Sequence, residues 1–224
     1  MNRLNSIDLL GNSSIGIFAV STNTYSIFPS SIKTKTQKIV ENTLSVPIIN
    51  TTIANCNLIG LFACGNSHNL ILPDLISDYE YEAITTNLPD DVQTHVFDSK
   101  ITALGNSIVC NDSIAVVHSE FTSDDVNLLQ DFLDVEIVQK KLIDNPLVGS
   151  MIFRNDNGFL THPMIAYEEL EWLSDLFKTR GDVVTINRGT PYPRPGIVGN
   201  KNGILIGSDT SGPELMRIFE ILLT

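Results

Sequence analysis

Three cysteines, four histidines and several paired carboxylates are the residues of this chain whose types suit chemistry. A cysteine nucleophile needs a thiolate with a base in reach. Cys56, Cys64 and Cys110 each sit in or beside an apolar run, where burial raises a thiol pKa and leaves the sulfur inert. His162-Pro163, followed by Glu168, has the residue types of a general-base site. Zinc is disfavoured by spacing: there is no Cys-x-x-Cys, and His68, His95, His118 and His162 have no partner at ligand distance along the chain. Asn155-x-Asn157-Gly158 mimics part of a calcium loop, but Phe153 and Met164 stand where its first and last carboxylates belong. Asp124-Asp125 and Glu168-Glu169 read as solvated first turns of helices, and no glycine-rich phosphate cradle is present. The expectation is a protein with no catalytic residue, cofactor or metal.

Composition narrows the remaining classes. The 224 residues are 42% hydrophobic and 18% charged, enough apolar content for a substantial core and too much for a disordered chain. Fourteen Lys and Arg against 26 Asp and Glu give a net charge of −12, which repels phosphate and disfavours a free-standing nucleic-acid binder. An acidic protein that docks on something basic remains open. The longest apolar stretch, Leu58 to Cys64, falls far short of the ~20 residues that span a bilayer. Met1-Asn2-Arg3-Leu4-Asn5-Ser6 leads into no apolar segment of the signal-peptide kind. An odd number of cysteines then reads as reduced thiols in a cytosolic or nuclear protein.

The elements that must position any site are repeated. An apolar pair or near-pair followed by Gly recurs at Ser14-Ile15-Gly16, Leu58-Ile59-Gly60, Ala103-Leu104-Gly105, Leu147-Val148-Gly149 and Arg194-Pro195-Gly196, the glycines 44, 45, 44 and 47 residues apart. Asn66, Asn111 and Asn155 each follow their Gly by six residues, Asn200 follows Gly196 by four, and Asn23 follows Gly16 by seven. Asn155-Asp156-Asn157-Gly158 and Asn200-Lys201-Asn202-Gly203 end in Asn-Gly, a hairpin signal because both residues tolerate positive φ. Helix starts follow, with capping-box patterns at Thr34/Gln37, Ser77/Glu80, Thr122/Asp125 and Ser211/Glu214, and with Glu168-Glu169 in the fourth copy. β-Branched runs close the copies at Val46 to Ile53, Val92 to Phe97, Val135 to Val138 and Val183 to Ile186.

The fifth helix has no closing strand after it, and Ser6-Ile7-Asp8-Leu9-Leu10 supplies one from the other end. The expected fold is α/β: five pseudo-symmetric ββαβ repeats closed into a ring, with the N-terminal strand completing the fifth. One domain spans residues 1–224, with repeats at about 11–56, 57–101, 102–145, 146–193, and 194–224 plus 1–10.

Several stretches, in order, resemble the translation initiation factor 6 family, the ribosome anti-association factors of archaea and eukaryotes. They are Thr51-Thr52-Ile53-Ala54 with Ile59-Gly60, Gly65-Asn66, Thr102-Ala103-Leu104-Gly105-Asn106, and Cys110-Asn111-Asp112. Val148-Gly149-Ser150, His162-Pro163, Thr185-x-Asn187-Arg188-Gly189, and Asp209-Thr210 with Glu214-Leu215 continue the match, which runs from about Asn12 to Glu214. Thr22-Asn23-Thr24-Tyr25 and Cys110-Asn111-Asp112 are more similar to the eukaryotic branch, whose members usually carry a C-terminal tail that this sequence lacks after Thr224.

The resemblance implies the pentein fold and a mechanism without chemistry. Such a protein, a monomer, binds the intersubunit face of the large ribosomal subunit, near the sarcin–ricin loop and adjoining ribosomal proteins, with minor rRNA contact. It blocks small-subunit joining until a GTPase with its cofactor evicts it. A role in large-subunit biogenesis and export, and a cytoplasmic and nuclear or nucleolar location, are also implied. Pentein enzymes acting on guanidino groups are the rival; they resemble one another in keeping a Cys in the last repeat, and here no cysteine follows Cys110.

The repeat marks also select interface candidates. The residues after the five glycines are Ile17, Leu61, Asn106, Ser150 and Ile197, among which Asn106 and Ser150 are polar. The family resemblance implies that Asn106 lies at the docking face, with Leu61, Ser150 and Met151 as neighbours; Leu61 stands where eukaryotic members carry a basic residue. In the proline-rich segment 190–195, Tyr192 is expected to be either a contact anchor or a packed aromatic.

Overall fold

The strand nearest the N-terminus, β1 (Leu4–Ile7), pairs parallel with β15 (Ile204–Gly207), which also pairs antiparallel with β14 (Ile197–Gly199). It thus completes the last unit, two residues earlier in the chain than the expected Ser6–Leu10 run. The computed structural model describes residues 3–224; Met1 and Asn2, the first positions of the expected domain and N-terminal segment, lie outside the described residues.

Four more three-stranded sheets repeat this order. β2 (Val20–Ser21), β3 (Ser26–Pro29) and β4 (Ile48–Thr51) form the first, and β5 (Cys64–Gly65), β6 (Asn69–Pro73) and β7 (Gln93–Phe97) the second. The third is β8 (Ile108–Cys110), β9 (Ile114–Val117) and β10 (Glu136–Gln139); the fourth is β11 (Ile152–Arg154), β12 (Gly158–Thr161) and β13 (Arg180–Val183). In each the first pair is antiparallel and the closing strand returns parallel to the middle one. A parallel return needs a crossover, supplied by α1 (Thr34–Leu44), α3 (Asp78–Thr85), α5 (Ser123–Leu133), α7 (Tyr167–Phe177) and, in the last unit, α8 (Gly212–Leu222). The fourth closing strand lies at Arg180–Val183, not at Val183–Ile186. Its apolar continuation, Val184 and Ile186, is buried but has already left the sheet.

Long helices bury residues four apart, Leu129 and Leu133 in α5, Leu173 and Phe177 in α7, Ile218 and Leu222 in α8. Capping boxes close α3, α5 and α8 as the sequence patterns predict. α1 departs: its N-cap is Lys33 with no side-chain cap, and Gln37 bonds Glu41 instead.

Core packing runs from each unit to the next. Ile27 and Ile49 pack with Ile59 and Leu70, Ile71 with Leu104 and Ala115, Val116 with Val148 and Phe159, and Leu160 with Ile197 and Ile218. A fifth cluster returns to the start, joining Val198 and Leu205 of the last unit to Ile15, Phe28 and Leu44 of the first. Among the described residues the five sheets remain separate, with no continuous sheet between them.

The Asn-Gly hairpins do not use positive φ, for neither Asn157, Gly158, Asn202 nor Gly203 adopts it. The turn is made by the side chain of the preceding Asn instead. Asn155 Oδ1 accepts from the N–H groups of Asn157 and Gly158, and Asn200, Asn66 and Asn111 do the same at their own hairpins. In the first unit Thr22 takes this part, not Asn23, accepting on Oγ1 from Thr24 and Tyr25. Glycine is required at 158 for another reason: a Cβ there would run into the Arg180 carbonyl and Ile221.

Positive φ occurs at the opposite connection, where the closing strand turns into the next unit, at Leu10-Gly11, Ala54-Asn55, Ile143-Asp144 and Asn187-Arg188-Gly189. Two of these strained turns are held by the capping glutamates. Glu80 accepts from Ala54 N and Asn55 N, and Glu214 from Arg188 N and Gly189 N. Burial pushes the Glu214 pKa up, but hydrogen bonds from Ser211, Thr185 and Gly189 outweigh it and hold the carboxyl down at about 2.

Candidate functional site

Because the middle and closing strands of a unit run parallel, both leave the sheet at the same end. That end therefore carries the loop into the long helix and the turn into the next unit. Five short segments lie beyond those turns: a 3-10 turn at Ile15–Ile17, α2 (Ile59–Phe62), α4 (Leu104–Ser107), α6 (Val148–Met151) and a second 3-10 turn at Arg194–Gly196.

Their glycines mark a close approach of backbones. A Cβ on Gly60 would strike the carbonyl oxygens of Gly16 and Ala19, one on Gly105 those of Gly60 and Ala63, and one on Gly149 those of Gly105 and Ile108. On Gly16 it would strike the carbonyls of Arg194 and Ile197. The fifth member of the series is thus Arg194, not Gly196, and the intervals become 44, 45, 44 and 45. Gly196 has a separate task, since a Cβ there would meet the Ile186 side chain. With Arg194 as the mark, Asn200 follows by six residues, as Asn66, Asn111 and Asn155 follow their glycines, and the residue after the mark is Pro195, not Ile197.

The interface candidates separate on exposure. Asn106 is half-buried; its backbone N–H donates to Ala103 O at 3.1 Å, and its side-chain amide has no hydrogen-bond partner among the described residues. Leu61, at the equivalent place in α2, is likewise half-buried. Ser150 is 8% exposed and spends its hydroxyl on Leu147 O at 2.8 Å. Met151 is 1% exposed and packs in the core with Val116 and Phe159, so its side chain is not a contact; all four residues of α6 are buried. Tyr192 is half-buried, packed on the same cluster, its ring 5.1 Å from that of His162.

Met164, 75% exposed, lies in the loop entering α7 and Tyr167, 68% exposed, is the first residue of that helix, while Leu147 is exposed in the turn entering α6. With Leu10 and Leu75 they place uncovered apolar surface at the same end of their units. The sequence signal for Met164 and Tyr167 was present, as large apolar residues outside the buried stripe of α7.

Residues with chemical potential are occupied structurally. Burial pushes the Cys64 thiol well up and that of Cys110 to about 12, which keeps both neutral. His162 is also pulled down by burial and its Nδ1 accepts from Met164 N at 3.1 Å, while Glu168 is exposed in the first turn of α7. Among the described residues no group of three His, Cys, Asp or Glu side chains is arranged to hold a metal, and no helix is long and apolar enough to cross a membrane.

The sequence model of the eIF-6 family matches residues 4–221. This chain belongs to the eIF-6 family. Among its relatives, translation initiation factor 6 of Pyrococcus horikoshii is 36% identical over 219 residues, covering 96% of each chain. That of Pyrobaculum aerophilum is 35% identical over 96% of this chain and 97% of its own, and that of Staphylothermus marinus 34% over 95% and 94%. The match spans all five units and both 3-10 turns. Family membership connects the molecule with translation initiation.

Proposed function

We propose that this protein is a ribosome anti-association factor with the pentein ring architecture, acting by docking and not by catalysis. The end that carries the five short segments binds the intersubunit face of the large ribosomal subunit, near the sarcin–ricin loop and its neighbouring proteins. The bulk of the domain then blocks the small subunit until a GTPase with its cofactor removes it. The same attachment fits a part in large-subunit biogenesis and export, by a monomer that moves between nucleus and cytoplasm.

The observation that carries this reading is Asn106. Its amide has no hydrogen-bond partner among the described residues and is not one of their buried unsatisfied groups, so its donors and acceptor are open to an outside partner. It sits between Leu61 and Ser150 on an end with exposed Leu147, Met164 and Tyr167, the mixture of apolar anchors and a few placed polar groups that protein interfaces use. A charge of −12 steers such a face towards basic ribosomal proteins and keeps rRNA contact slight. The relatives' name, translation initiation factor 6, agrees with the assignment.

The test is co-sedimentation with salt-washed large subunits, then with added small subunits, at low and raised salt. Stoichiometric binding, loss of the joined peak and a shallow salt slope are expected. Failure to bind active large subunits would sink the reading.

A further inference from the structure

A central cavity of about 80 Å³ is lined by residues of all five units. Its lining includes two guanidinium groups, Arg154 and Arg194, and no carboxylate; apart from Ser21, Cys64 and Cys110 the rest is glycine, aliphatic or aromatic. We propose that this cavity is a binding site for a small oxyanion, held between Arg154 and Arg194.

Both cations are only weakly compensated, Arg154 by one long ion pair to an exposed carboxylate and Arg194 by none among the described residues. The Arg154 side chain is 11% exposed; its Nη2 donates to Asn155 O at 2.7 Å, and its buried Nε has no acceptor. The nearest carboxylate, Asp156, is 3.7 Å away, itself exposed and engaged on both oxygens by Asn23. Arg194 donates to the carbonyls of Gly16 and Ala19 and forms no ion pair among the described residues. Burial draws both guanidinium pKa values down, that of Arg194 to about 10, while at Arg154 the nearby Asp156 and Asp112 carboxylates offset part of the effect. The neighbouring thiols supply no negative charge, since burial keeps Cys64 and Cys110 protonated.

Enclosed water would satisfy donors but not the charge, and leaving a buried cation unpaired costs several kcal/mol. An oxyanion satisfies both, its edges matching the planar donor fork. A water needs about 10–15 Å³ in this measure, so the cavity has room for one such ion. A second space of about 60 Å³, also lined by Arg154 and bordered by Ser67, Asp112 and Asp156, adjoins it.

Sulfate is the probe. Protein prepared without sulfate or phosphate is titrated calorimetrically with sodium sulfate at fixed ionic strength, and the anions released on acid denaturation are measured by ion chromatography. The expectation is one saturable site per chain, or one equivalent of oxyanion already bound, with a Tm that rises with sulfate. Arg154→Met, which keeps the packed stem, should weaken binding by about tenfold or more and flatten the Tm response, while the exposed Lys38→Gln should change neither. Wild-type protein that neither releases nor saturably binds an oxyanion overturns the proposal, whatever the variants do. So does an unaltered sulfate response in Arg154→Met.

Discussion

Arg194 Nη1 lies 2.9 Å from the carbonyl oxygen of Gly16, across the seam between the last unit and the first. At the other four positions of the series, glycine lets one backbone press on the next. Here Arg194 offers its own carbonyl to the Gly16 contact and sends its side chain inward, so the seam between the chain's two ends is tied by side-chain as well as backbone bonds.

Arg194→Ala should therefore destabilise the fold, by about 1–3 kcal/mol, through lost bonds to the carbonyls of Gly16, Ala19 and Ile197 and a larger void in the cavity. Urea unfolding monitored by Trp172 fluorescence measures it. A midpoint equal to or above wild type would mean that desolvation of the guanidinium outweighs its bonds.

A second tie across the same seam is Asn200, buried, whose Nδ2 donates to Thr22 O and to Leu44 O at the end of α1, both at 3.0 Å. Asn66 and Asn155 make the matching bond to Leu133 O and Leu222 O of their next units. Asn200→Ala should cost about 2–4 kcal/mol, and Asn200→Asp more, because it aims a carboxylate at carbonyl oxygens. Equal melting of wild type and Asn200→Asp would refute the role assigned to the amide.

The units were legible in the sequence because two requirements write themselves in residue types. Close backbone approach demands glycine at 16, 60, 105 and 149, and the side-chain-made turn demands Asn at 66, 111, 155 and 200. The pattern failed where a different residue met the same requirement. Thr22 replaces Asn with a hydroxyl, and Arg194 replaces Gly because its side chain escapes into the cavity, so the count slipped to Gly196 and Asn23. The positive-φ turns were hidden because Leu10, Ala54 and Ile143 are not residues that advertise αL, and Glu80 and Glu214 stabilise two such turns from a distance in sequence. At the candidate site, position in the repeat identified Asn106 and Leu61, but it could not show that Met151 turns inward while Met164 and Tyr167 turn out.

Acid should loosen the end held by Glu214. Burial works against its charge, yet hydrogen bonds hold the pKa at about 2 against an ordinary 4.5. A depressed carboxyl stabilises the fold fully above 4.5 and loses that contribution as pH falls through 2. Glu214→Gln should be less stable than wild type at neutral pH by about 1–2 kcal/mol, allowing for solvent screening, with the gap closing towards pH 2. A gap that does not change with pH would place the effect in geometry and not in charge.

Asn106→Ser separates docking from folding. The amide makes no hydrogen bond among the described residues, and serine keeps a small polar group at a half-buried site, so Tm should stay nearly unchanged. Large-subunit affinity should fall by about tenfold, the usual loss for a central interface residue worth more than 1 kcal/mol. Leu147→Ser, at an exposed anchor of the same end, should weaken binding with a similarly small effect on folding, whereas Met151→Ala, in the core, should lower stability by about 2–5 kcal/mol. Quantitative sedimentation beside thermal melts of the three variants resolves these effects. If Asn106→Ser melts well below wild type yet binds as tightly, the amide serves the fold, and the docking face must be sought at the end that carries the Asn hairpins.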